Sequence, residues 1–319
     1  MATAVDVATV EASLRAEKRG GPSEWLRVIW RFARRKPLGA ICGVIILLML
    51  ICALFVDARL FGSSEPVIAP DHYNHQVFGE ENLGMSWEHP LGTDRLGRDI
   101  LSRILYGARI SVIIGLSTVT IAALAALALG SLSGYYGRWF DVVMQRMVDV
   151  VLAIPPLLLL IYGISVFAVD PAPYRRMFWI IVIIAVIVTA GAIRVVRSAA
   201  IATANNAYID AARTIGATSP RIVARHIAPN VVPVVIVLAT VNVGVAILAE
   251  AAISFLGYGI PEPFPSWGAM LSLSGSSEFR AHPEQAIWPG LAIAIAVYSF
   301  NMFGDALRDV LDPRLRGSR

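Results

Sequence analysis

Six long apolar runs, separated by polar stretches, organise this 319-residue chain; they cover residues 38–56, 110–132, 142–169, 178–195, 231–256 and 287–307. Each holds at least 18 residues. Eighteen residues of α-helix rise about 27 Å, close to the ~30 Å hydrocarbon core of a bilayer. The pattern predicts an all-α polytopic membrane protein with six transmembrane helices. The third run is interrupted by Pro155 and Pro156, which remove backbone donors and predict a kink. Gly115, Gly130 and Gly244 lie inside the runs and Gly134 just past the end of the second, where small residues let helices approach closely.

Composition agrees with a membrane solvent. The chain is 56% hydrophobic and only 16% charged, against about 25% charged for soluble domains. Its net charge of +4 does not point to nucleic acid, because the basic residues flank apolar runs and form no aromatic-interleaved patch. The two cysteines, Cys42 and Cys52, both lie in the first run, too few for a disulfide framework or a metal site.

The basic residues set an orientation. With the N-terminus inside, eighteen Lys and Arg fall in cytoplasmic segments and seven in external ones, which favours both termini in the cytoplasm. The expected organisation is a cytoplasmic tail over 1–37, a first span over 38–56 and an external loop over 57–107. A core of five spans follows over 108–307, containing a cytoplasmic loop at 196–230, and then a C-terminal tail over 308–319. The tail is too polar, and the first run too far in, for a cleavable signal. Within it, residues 24–33 read as an amphipathic helix lying on the membrane, with Trp25, Ile29, Trp30 and Phe32 toward lipid and Arg27, Arg31 and Arg34 toward water.

The cytoplasmic loop has its own local logic. Residues 205–215 predict one short helix, with Ala211, Ala212 and Ile215 on a shared face. Gly216 suits the left-handed position that ends a helix. Ser219 and Pro220 predict the cap and first turn of a second helix, running through Ile222 and His226 and stopping at Pro229. Local rules thus give a helix–turn–helix elbow parallel to the membrane.

The series Asp210, Ala211, Ala212, Gly216 and Pro229 resembles the cytoplasmic loop of the permease subunits of ABC importers, with Asp210 where that family usually has Glu. The resemblance extends to His89-Pro90-Leu91-Gly92-Thr93-Asp94-Arg95-Leu96-Gly97-Arg98-Asp99 and to Glu250 with Phe255-Leu256-Gly257-Tyr258-Gly259. It continues through Pro265-Ser266-Trp267-Gly268 and Asp305-Ala306-Leu307-Arg308-Asp309. These motifs span about residues 35–315 and look like the "C" subunits of dipeptide and oligopeptide permeases. The resemblance implies a type I importer permease fold, with Asp210, Ala211, Ala212, Ile215, Gly216 and Pro229 seated against an ATPase subunit. It also implies a second permease subunit as heterodimer partner, two ATPase subunits or domains, an extracytoplasmic solute-binding protein and a bacterial inner membrane. Di- and oligopeptides are the expected cargo, with nickel chelates and glutathione as alternatives within the same family.

A phosphate-binding loop needs Gly-x-x-x-x-Gly-Lys-Ser/Thr. The only lysines, Lys18 and Lys36, follow Glu17 and Arg35, so the chain has no such loop and no cofactor of its own is expected. ATP and Mg²⁺ then belong to partner subunits. An ion-driven carrier is disfavoured because no second six-span half or inverted repeat is visible. An intramembrane protease is disfavoured because all five histidines fall in predicted loops and His-Glu-x-x-His is absent.

Acidic residues inside apolar runs mark candidate sites. Asp149 and Asp305 are expected to pair with Arg146 and Arg308 or to cap helices. Glu250, with Asn242 two turns below it, is a candidate for lining the translocation path, the competing reading being a hydrogen bond inside the bundle. The cluster Asp71-His72-Tyr73-Asn74-His75 is expected to be a solvated loop and not a metal site.

Overall fold

The computed structural model describes residues 30, 32–57, 65–168, 172–273 and 280–311. Most of the amphipathic segment predicted at 24–33 lies outside the described residues. Of its described members, Trp30 is exposed under Arg34, but Phe32 is half-buried and turns inward against Phe303 (ring centroids 6.3 Å apart) instead of toward lipid.

The chain folds as helices α1 (Pro37–Phe55), α2 (Ile100–Tyr136), α3 (Arg138–Ala153), α4 (Pro156–Phe167) and α5 (Pro173–Ala204). There follow α6 (Ala207–Thr214), α7 (Ser219–Ile222), a π-turn (Val223–Ile227), α8 (Ala228–Phe255), α9 (Trp267–Leu273) and α10 (Glu284–Leu311). Five helices among the described residues are long and apolar enough to cross a membrane. The sixth predicted span is the pair α3 and α4, which meet at an 89° bend. Pro155 and Pro156 explain the break: neither supplies an N–H to α3, and Ile154 takes up extended backbone.

Helix ends differ from the apolar runs. The second helix begins at Ile100, inside what the charge pattern marks as a loop over 57–107. Charge does not stop it, because Arg103 and Arg109 are satisfied by protein groups and not by water. Asp99 caps its first turn by accepting the Ser102 N–H (2.7 Å). At the other end Gly137 closes α2, and α3 starts at once.

Packing is densest between α2 and α5. A Cβ on Gly130 would stand 2.7 Å from the Val196 side chain, and one on Gly134 would stand 2.7 Å from Ala200 Cβ. These two positions therefore set the separation of the helices. Gly115 lies against Ile247, and Gly244 against Asn301, in the same manner. Near the chain ends, Lys36 pairs with Asp309, which ties the start of α1 to the end of α10. Asp305 is exposed and, among the described residues, makes no ion pair with Arg308.

The bundle has two distinct ends. Residues 65–99, residues 257–266 and the start of α10 gather at one, the loop end. The elbow of α6 and α7 sits at the other, against the C-terminal part of α2, where Arg213 lies over the Tyr135 ring at 5.4 Å.

Candidate functional site

The elbow forms much as local rules predict, with three corrections. Its first helix is Ala207–Thr214, ended by Gly216 at φ +84°. The Gly216 N–H donates to Arg213 O and the Ala217 N–H to Ala212 O, both at 3.0 Å. These two bonds are the Schellman closure, which satisfies carbonyls that a helix end otherwise leaves open.

The first correction concerns the shared face. Ala212 is buried, as is Ile209, which joins a cluster with Ile222, Val223 and Ile227. Ala211 and Ile215 face outward with Asp210 and Gly216. Residues 209 and 212 are three apart and form the inner stripe; 211 and 215 are four apart and form the outer one. Ile215 is 85% exposed, a large apolar side chain presented at the tip of the elbow.

The second correction concerns the cap. Thr218, not Ser219, is the N-cap of the second helix; no side chain caps it, and Thr218 O accepts the Ile222 N–H at 3.0 Å. The third concerns Pro229, which does not stop the helix. The turn widens to a π-turn in which the Ala228 N–H donates to Val223 O, and the chain runs on into α8. A π-turn accommodates a proline N that has no hydrogen to give. The side chain of Asn230 donates to His226 O (2.6 Å) and so satisfies a carbonyl in this stretch. His226 therefore belongs to a helical turn, as the predicted second helix of the elbow has it.

At the loop end, the motif residues form a framework. Arg98 Nε donates to Asp94 Oδ2 (2.7 Å), and Arg98 Nη1 to Glu262 Oε2 (2.6 Å). Arg103 donates to Tyr73 O (3.1 Å) and to Glu262 Oε1 (3.3 Å). Thr93 Oγ1 donates to Glu80 O (2.5 Å) and accepts the Leu83 N–H (2.8 Å). Gly92 and Gly97 have positive φ, and a Cβ there would press on Leu83 O and Val77 O at 2.6 and 2.3 Å. Gln285 at the start of α10 donates to Asn82 Oδ1 and Thr93 O. His89 stands between Asp99 (3.1 Å) and Glu80 (3.2 Å). Burial alone would lower its pKa, but the two carboxylates outweigh burial and hold it above the ordinary imidazole value. In the Asp71–His75 cluster, the His75 ring bonds Asp71 (3.1 Å), while the His72 ring packs on Tyr73.

Glu250 turns into the helix bundle of this chain. It is fully buried, accepting from Ser254 Oγ (2.6 Å) and Ser111 Oγ (3.4 Å). Its placement corrects the path-lining expectation in favour of a hydrogen bond that joins α8 to α2. Asn242 is half-buried, donates to Leu238 O (2.8 Å) and borders a cleft of about 10 Å³ between α2, α5 and α8, room for about one water molecule. Asp149 pairs with Arg146 as expected (3.4 Å), and more closely with Arg194 of α5 (2.6 Å). Sequence reasoning missed Glu262 and Arg194, whose roles depend on partners 164 and 45 residues away.

Comparison with known proteins fits this geometry. Residues 126–317 match the family described as binding-protein-dependent transport system inner membrane component. The chain is 35% identical over 290 residues to the glutathione transport system permease protein GsiD of Pectobacterium atrosepticum, covering 91% of each chain. It is 38% identical over 278 residues to the dipeptide transport system permease protein DppC of Alkalihalophilus pseudofirmus, covering 87% of this chain and 86% of the relative. To the GsiD protein of Escherichia coli O6:K15:H31 it is 37% identical over 289 residues, covering 90% of each. The chain thus belongs to the binding-protein-dependent transport system inner membrane components: it is a non-catalytic, multi-pass inner-membrane permease of an ABC importer, working with ATPase and solute-binding partners.

Proposed function

We propose that this permease carries di- and oligopeptides, or peptide-like solutes such as glutathione, into the cytoplasm by alternating access. The relatives named for dipeptide and glutathione transport support that cargo class. Both termini lie in the cytoplasm, as the excess of Lys and Arg beside the elbow and in the tails argues. The chain pairs with a second permease subunit, and two ATPase subunits or domains bind ATP and Mg²⁺. An external solute-binding protein delivers the cargo at the loop end. No cofactor is held by this chain.

The observation that carries the coupling role is the elbow's outer stripe. Asp210, Ala211, Ile215 and Gly216 are presented to solvent while Ala212 anchors the helix from within. Two small positions beside a protruding isoleucine suit insertion into a cleft of an ATPase subunit. Pro229 contributes by shaping the turn that joins the elbow to α8, so that a push on Ile215 reaches a membrane-crossing helix.

The test is co-purification of the ATPase subunits with the tagged chain. Ala211→Arg places a long cation on the outer stripe without touching the buried one. It is expected to abolish ATPase recovery and uptake while leaving the thermal stability of the permease within a degree or two. Wild-type recovery and uptake would overturn the assignment. A fluorescent protein fused after Arg319, of a kind that matures only in the cytoplasm, tests the orientation.

A further inference from the structure

Two independent features of α3 and its neighbours point the same way. The first is charge. Asp149, Arg146 and Arg194 form one ion-pair group whose side chains are 45%, 80% and 48% exposed on this chain. Between Arg176 and Arg194 lie 17 uncharged residues, about 26 Å of helix against the ~30 Å hydrocarbon core. Arg194 therefore sits inside the core or against its inner edge. A charged group at that depth faces the bundle interior or water and not lipid. The interior of this chain is excluded, because all three side chains are exposed.

The second feature is backbone. The 89° bend between α3 and α4 is open, with residues 152–158 exposed. Helix α3 ends there with carbonyls that have no intrahelical donor, and two consecutive prolines offer none. Irregular backbone at membrane depth is tolerated only where protein covers it or where it lines a water-filled cavity.

The geometry points to the Arg146–Asp149–Arg194 group and the adjoining bend as the face of this chain that lines the aqueous path, near its elbow end. This inference rests on the alternating-access reading above. Water is the occupant, and not an apolar partner surface, because the group carries a net positive charge and Arg146 makes a single 3.4 Å contact with Asp149. Desolvating such a guanidinium against an apolar surface would be costly. The net positive charge also suits the passage of solutes that bear a carboxylate.

Substituted-cysteine labelling of the assembled transporter in inverted membrane vesicles tests the assignment. Cys42 and Cys52 are first replaced by Ala. Arg146→Cys and Ile154→Cys are then compared with Leu47→Cys, an exposed position on the apolar helix α1. A charged, membrane-impermeant thiol reagent is expected to modify the first two and not the third. Trapping the complex with ATP and vanadate is expected to change both rates at least five-fold. Absence of labelling at both positions, with labelling restored on denaturation, would show that protein covers the face and would overturn the proposal. Equal rates with and without trapping would place the residues on a permanently open surface, which also overturns it. ATP hydrolysis by the same vesicles separates these outcomes from failure of the importer reading itself.

Discussion

Arg98 and Glu262 are 164 positions apart in the chain, and their side chains meet at 2.6 Å. Arg98 is 1% exposed and Arg103, bound to the same carboxylate, is equally buried, while Glu262 is 42% exposed. One glutamate thus fastens the loop before α2 to the segment before α9.

Glu262→Gln should loosen that attachment. It keeps the shape but leaves two buried guanidiniums with Asp94 as their remaining carboxylate within 4 Å among the described residues. Breaking a fully buried pair costs about 3–5 kcal/mol. Glu262 is partly solvated, so a loss of about 1–2 kcal/mol is expected, read as a lower melting temperature of the purified permease. A double-mutant cycle with Asp94→Asn should show coupling, because both carboxylates serve the same two arginines. Additive losses would disprove the shared arrangement.

His89 predicts a pH dependence at the loop end. Both ring nitrogens face carboxylates, an arrangement satisfied in full only by the doubly protonated ring. The folded pKa is raised, so its stabilising contribution is complete below the unfolded value of about 6.5 and is lost as pH rises through the folded value. Hydrogen exchange in residues 80–99 should therefore quicken with pH beyond its intrinsic increase. His89→Gln should remove that excess. An unchanged excess in the variant would exclude His89 as its source.

Five of the six predicted spans were legible as single helices because bilayer thickness sets a length that apolar runs must meet, and the remaining one is the bent pair α3 and α4. Their ends were not, since Arg103 and Arg109 look like interfacial charges until Glu262, Tyr73 and Asp57 are brought to them by tertiary packing. In the elbow, Gly216 was readable because a positive φ leaves few residue choices. The inward turn of Ala212 was not, because it follows from Ile209, three residues before it, packing with Ile222 and Ile227 from the next turns. Pro229 misled for a related reason: proline forbids a donor, and a π-turn can absorb that loss without ending the helix. Glu250 was found as a site, but its burial is set by the serines around it, two of which, Ser111 and Ser266, come from distant segments.

Replacement of Glu250 separates a packing role from a path role. Glu250→Gln retains an acceptor for Ser254 and Ser111, and uptake and substrate-stimulated ATPase activity should stay within about two-fold of wild type. Glu250→Leu removes the acceptor. Each buried hydroxyl left unsatisfied costs about 1–3 kcal/mol, so lower stability and poor recovery of the permease are expected. Loss of transport in the Gln variant at normal stability would return Glu250 to the path.

Gly216 offers the sharpest test of the elbow, because strain and crowding separate there. Its φ is +84°, and a Cβ at this position would meet nothing within 4 Å. Within this chain a substitution therefore acts through backbone conformation, and the added bulk on the outer stripe is shared by Val and Asn variants. Gly216→Val should cost about 1–2 kcal/mol in the left-handed region, and the chain can relieve that cost by opening the bonds from Gly216 and Ala217 to Arg213 and Ala212. Ile215, one residue before, would then lose its fixed direction. Weaker recovery of ATPase subunits and reduced uptake are expected, with little change in the melting of the membrane helices. Gly216→Asn, which tolerates the left-handed conformation better, should restore most of both. Equal behaviour of the Val and Asn variants would show that the elbow's function does not depend on this closure.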